Sequence, residues 1–74
     1  FHMDSHELVA RFLEECKRKY PKSVYFYALS SSIQGWLQNF EAALYEANVG
    51  LQTDPNNCEL LYYKAVALRL IGRD

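Results

Sequence analysis

The side chains of this chain that could carry a reaction are His2, His6, Cys16, Cys58 and nine carboxylates, the parts from which hydrolytic and redox sites are assembled. Such a site needs a nucleophile beside a base, or an acid paired with a base, and no grouping of that kind converges along the chain. The two cysteines stand 42 residues apart, with no CxxC and no Cys/His pairing at zinc spacing. Cys16 reads as a small apolar packing residue. Cys58 falls at a helix start, where a thiolate is favoured, so a structural role and a mild reactivity both suit it. His6 lies in a first helical turn as an exposed or capping residue, and His2 belongs to an opening Phe1-His2-Met3 that reads as an expression scar around a start methionine. No catalytic residue, metal ligand or cofactor is assigned, and the chain is read as a non-enzyme.

Three further groups invite a binding role. Ser30-Ser31-Ser32 offers a hydroxyl cluster for phosphorylation, or small side chains for close packing against a neighbouring helix, and packing is the preferred reading. Lys17, Arg18, Lys19 and Lys22 could touch phosphate or an acidic partner; the plainer account is a solvated face that complements the negative end of a helix dipole. Six tyrosines, four phenylalanines and one tryptophan, at 15 % of the chain, are the feature that most calls for a function. They either line an apolar groove or pack between helices.

Composition narrows the classes. At 74 residues the chain is one small domain, which buries only about 60 % of its unfolded surface. Half the residues are hydrophobic and 23 % charged, a balance that separates it from disordered chains. Eight basic against nine acidic residues give a net charge of -1 and no general drive toward nucleic acid or an anionic membrane. Every apolar stretch is broken by polar residues before reaching the roughly 20 needed to span a bilayer. Two cysteines are too few for a secreted disulfide framework, which favours the cytoplasm, or the nucleus.

The elements that must position these residues are four helices. The first runs from Asp4 or Ser5 to about Lys19, with Asp4 and Glu7 as a capping box, Leu8, Phe12, Leu13 and Cys16 at helical spacing, and Pro21 as terminator. Ser23 caps a second helix to about Leu37. Its Tyr25-Phe26-Tyr27 could suggest a strand, but the stripe Phe26, Leu29, Ile33, Trp36 and Leu37 favours a helix. Asn39 caps a third over 40–53, with Ala43, Leu44, Ala47 and Leu51 on one face and Glu41, Glu46 and Gln52 elsewhere. Asp54-Pro55-Asn56-Asn57 is a turn, from which Asn56 (with Glu59) or Asn57 starts a fourth helix over 58–71, closed by Gly72.

Pro21 and Pro55 are 34 residues apart, each in a helix-to-helix turn. Ala43-x3-Ala47 followed by Pro55 resembles the close of the pattern W-x2-L-G-x2-Y…A-x3-F…P, and Leu61-x2-Lys64-Ala65-x2-Leu68 resembles the opening of another unit with Leu for Trp, Ala for Gly and Leu for Tyr, departing at Lys64, where an apolar residue is usual. The chain therefore resembles the tetratricopeptide repeat family, most specifically from Phe40 to Gly72. In the second helix a strict count from Pro21 places Tyr27, Ser30, Ser31 and Gln34 at the signature sites. A register shifted by one residue places Phe26, Leu29, Ser30 and Ile33 there and buries the apolar stripe, so it is preferred. The packing signature is then Phe26, Leu29, Ile33, Ala43, Ala47, Pro55, Leu61, Ala65 and Leu68.

The resemblance implies an all-α fold of four antiparallel helices stacked as two hairpins in an α-solenoid fragment. Residues 4–20 would be the closing helix of one unit, 23–55 a full helix pair and 57–72 the opening helix of the next, so the chain reads as a piece of a longer array. It further implies a non-catalytic scaffold or adaptor that binds a protein or peptide on a concave face, for which the candidates are Val24, Tyr27, Ser31, Tyr62, Tyr63, Val66 and Arg69. Polar selectivity would come from Ser31, Lys64 or Arg69. The Lys, Asn and Arg clamp by which some members hold a peptide carboxylate is absent: Val24, Tyr27, Ala28 and Ser31, then Glu59, Tyr62, Tyr63 and Val66, stand at those places. The alternative is a self-association unit forming a homo-oligomer through its terminal helices, with Leu8 or Phe12 uncovered at one end and Leu60, Leu68 or Ile71 at the other.

Overall fold

The computed structural model describes residues 5–72, and among them it shows four helices and no strand: α1 (Ser5–Lys19), α2 (Val24–Trp36), α3 (Phe40–Thr53) and α4 (Cys58–Ile71). The Phe1-His2-Met3 opening and the Asp4 cap lie outside the described residues. Glu7 in the first turn of α1 and Lys17, Arg18 and Lys19 in its last complement the helix dipole.

Two helix ends show their local cause directly. The Asn57 side chain accepts from the Leu60 N–H at 2.9 Å, a true N-cap for α4. Ser23 and Asn39 stand at N-cap positions but make no side-chain cap bond; the Asn39 amide instead donates to Gln34 Oε1 at 3.1 Å. The α2–α3 turn closes with two backbone bonds, Asn39 N–H to the Gln34 carbonyl at 2.9 Å and Gln38 N–H to the Gly35 carbonyl at 3.0 Å. That is the Schellman pattern, and it holds Gln38 at φ 63°, where glycine is usual.

The 34-residue spacing is physical. Tyr20 N–H donates to the Cys16 carbonyl at 2.8 Å and Ser23 N–H to Tyr20 at 3.0 Å. Thirty-four residues on, Asp54 N–H donates to Gly50 at 3.1 Å and Asn57 N–H to Asp54 at 3.2 Å. One turn geometry therefore occurs twice, and α2 and α4 start 34 residues apart.

The helices pack in sequence, α1 on α2, α2 on α3 and α3 on α4, with α2 also touching α4. The slab that results is 38 × 34 × 14 Å. Its core joins Ala28, Ala47 and Leu60, flanked by Val24, Leu51 and Tyr63. Small residues set the spacing of α3: a Cβ built on Gly50 would lie 2.8 Å from Leu60 Cδ1 and 3.1 Å from Tyr27 Cβ. About two turns earlier on α3, the Ser31 hydroxyl donates to the Ala43 carbonyl at 2.8 Å, a second direct contact between α2 and α3.

This close approach corrects the register expected for α2. Ser30 and Ser31 are buried while Leu29 is 37 % exposed, because against Ala43, Ala47 and Gly50 only a small side chain fits and larger ones turn aside. Phe26 and Ile33 are half-buried. The burial is that of the strict count from Pro21. In α4, Leu61, Ala65 and Leu68 of the expected packing set are exposed, and Leu60, expected to be uncovered, is fully buried against Gly50. Leu8 and Phe12 are exposed on α1.

Candidate binding groove

The end of α2, the start of α3 and the body of α4 enclose an open groove of about 450 Å³. From α2 come Ser31, Ser32, Gly35 and Trp36; from the turn and α3, Gln38, Phe40 and Ala43; from α4, Tyr62, Tyr63, Val66, Ala67 and Leu70. None of these side chains carries a formal charge. The α4 residues recur at helical spacing, which turns one stripe of that helix toward α2. The left-handed Gln38 reverses the chain sharply enough to bring Phe40 under the same opening.

Aromatic edges mark the groove's rim. Trp36 is 70 % exposed and Tyr62 63 %. The Trp36 ring stacks on His6 of α1 with centroids 5.0 Å apart at 23°, so α1 props this wall from outside. The Tyr62 and Tyr63 rings are 5.7 Å apart and tilted by 59°. Tyr63 donates its hydroxyl to Glu59 Oε2 at 3.3 Å. Burial of its ring pushes the phenol above its ordinary value; a hydrogen bond with Ser32 opposes this, and the Glu59 carboxylate adds to it.

Of the residues assigned to a concave face, the structure brings Ser31, Tyr62, Tyr63 and Val66 together in the groove. The Ser31 hydroxyl is already committed to the Ala43 carbonyl and Ser32 is hydrogen-bonded with Tyr63, so besides the tyrosines the exposed Gln38 amide and the Trp36 indole N–H supply the accessible polar groups of the lining. Three assigned residues lie elsewhere. Val24 packs on the Ala28–Ala47–Leu60 core, Tyr27 packs beside Gly50, and Arg69 is exposed outside the lining. Trp36, Phe40 and Leu70 were not assigned. Trp36 belongs to the apolar stripe of α2 by spacing, and only the way α2 and α4 meet makes it a wall of the groove.

A second concentration of polar chemistry lies between α1 and α3. Lys17, expected on a solvated basic face, is buried; its ammonium donates to Glu46 Oε1 at 2.6 Å, Glu14 Oε2 at 2.7 Å and Ser30 Oγ at 3.3 Å, and sits 5.5 Å from the Tyr27 ring centroid. Glu46, placed by sequence away from the packed face of α3, is buried with it. The long lysine stem explains the difference: it runs along apolar surface and delivers the charge to a carboxylate across α2. Burial alone would lower the Lys17 ammonium, but its bonds to Glu14 and Glu46 and their charges outweigh it and raise it above 10.5. Arg18, by contrast, pairs with Glu15 at the surface.

Among the described residues no group of three or more His, Cys, Asp or Glu could hold a metal ion. Cys16 is half-buried and Cys58 exposed, both as free thiols. No helix among the described residues is long and apolar enough to cross a membrane. No family model, no curated protein and no solved structure matches the chain.

Proposed function

We propose that this chain is a non-catalytic protein-interaction module of the tetratricopeptide kind, which takes an uncharged, apolar stretch of a protein or peptide in the groove between α2 and α4. The observation that carries this reading is the groove's composition: about 450 Å³ lined mostly by aromatic and aliphatic side chains, with Ser31, Ser32 and Gln38 as its polar members and no formal charge, and Trp36 and Tyr62 largely exposed at its edge. Clefts of about 300–1,000 Å³ with few polar groups are the usual form of small binding sites, and exposed aromatic anchors dominate the energy of protein contacts. A charged carboxylate would be desolvated here without a cationic partner, so a peptide C-terminus is a poor occupant.

Trp36 is the chain's single tryptophan, so its fluorescence reports on the groove directly. A displayed random-peptide library is selected against the chain and counter-selected against Val66→Arg. The expected peptides carry two or three large apolar side chains, shift Trp36 emission to shorter wavelength, and bind Val66→Arg at least tenfold more weakly. Peptides that bind the two proteins equally, or that leave Trp36 unchanged, overturn the reading.

A further inference from the structure

We infer that copies of this chain associate head to tail, the uncovered face of α4 on one copy seating against the uncovered face of α1 on the next, in the relation that α2 bears to α3 within the chain. The basis is the 34-residue correspondence. It pairs α4 with α2 and α1 with α3, down to the backbone bonds of the two turns.

Within the chain, α3 meets α2 through Ala43, whose carbonyl holds Ser31; Glu46, which shares Lys17 with Ser30; and Gly50, which abuts Tyr27. Thirty-four residues earlier stand Val9, Phe12 and Cys16 on α1. Val9 is 43 % exposed, Phe12 66 %, and Cys16 half-buried. On the other side of the interface, Tyr27, Ser30 and Ser31 correspond to Leu61, Lys64 and Ala65 of α4. Leu61 is 46 % exposed and Ala65 is exposed, while Lys64 is half-buried.

Each uncovered face is thus the counterpart of one half of an interface the chain already makes, and the occupant that continues it is the complementary face of a second copy. Apolar side chains stand on both faces, and a net charge of -1 opposes association only weakly. Because the two faces are unlike, the contact does not close on itself as a two-fold dimer would; it propagates into open chains. The register is specific: Leu61 of one copy comes beside Cys16 of the next, as Tyr27 comes beside Gly50. The groove uses other residues, so Val66→Arg leaves this association unchanged.

The test joins mass with cross-linking. Sedimentation velocity over a hundredfold concentration range is expected to show a rising mean mass for the wild type. Phe12→Lys, which sets a second cation against Lys64 at an exposed position, is expected to stay monomeric with unchanged helical circular dichroism. In a Cys58→Ser background, Leu61→Cys under mild oxidation is expected to give a ladder of dimers, trimers and longer species through Cys16, formed at least tenfold faster than with Gln52→Cys. A strictly monomeric wild type, association that survives Phe12→Lys, or cross-linking that stops at a dimer overturns the proposal.

Discussion

Lys17 Nζ lies 2.6 Å from Glu46 Oε1, and this one contact ties α1 to α3 across the intervening α2, with both side chains 9 % exposed. α1 otherwise rests on α2, so the pair decides how firmly the first helix is held. Breaking a buried pair strands a charge, whereas replacing both partners with apolar groups removes the desolvation cost as well. Lys17→Ala and Glu46→Ala are each expected to lower stability by about 3 kcal/mol, the low end for such a break because Glu14 and solvent soften it. Lys17→Met/Glu46→Leu should return to within about 1 kcal/mol of the wild type. Urea unfolding of the four proteins checks the order, and a double variant no better than the singles would refute it.

The alkaline limit follows from two groups whose folded values are raised, Lys17 above 10.5 and Tyr63 above 10.0. In both cases the folded state holds its proton more tightly than the unfolded chain, so the stability they contribute is complete below pH 10 and falls as pH rises through the folded values. Urea midpoints are expected to decline above pH 10 from these groups. Lys17→Met/Glu46→Leu removes the lysine contribution to that decline and Tyr63→Phe the tyrosine contribution. Slopes above pH 10 identical to the wild type in both variants would contradict the assignment.

The two helical glycines should respond to alanine with opposite signs. Nothing lies within 4 Å of a Cβ built on Gly35, so Gly35→Ala gains helix propensity of about 0.5–1 kcal/mol. At Gly50 the same methyl meets buried Leu60 at 2.8 Å and the Cβ of Tyr27 at 3.1 Å, an overpacking that costs about 1–3 kcal/mol. Thermal melts of the two single variants decide, and a shift of the same sign in both would show that α3 does not approach its neighbours as described.

Gln38 holds a left-handed backbone at φ 63°. A side chain there costs about 1–2 kcal/mol, part of which glycine would lose again to the freedom of the unfolded chain. Gln38→Gly is expected to stabilise by about 0.5–1 kcal/mol, a rise of a few degrees in the melting midpoint. A lower midpoint would mean that the Gln38 side chain holds the turn.

The sequence by itself determined the helices and their punctuation. The third and fourth, over 40–53 and 58–71, are found where the Asn-Phe start, the Asp54-Pro55-Asn56-Asn57 turn and Gly72 place them, because turns and caps are local chemistry readable from adjacent residues. The 34-residue period was equally legible, since both prolines sit within matching turns. Tertiary structure alone decided which face of α2 turns inward, because the answer rests on the smallness of Ala43, Ala47 and Gly50 on another helix, and apolar periodicity in α2 carries no record of that. It also decided that Lys17 is buried. A lysine beside Arg18 and Lys19 has the pattern of a solvated face, and only the placement of Glu46, 29 residues further on, supplies the opposite charge that keeps its ammonium out of water.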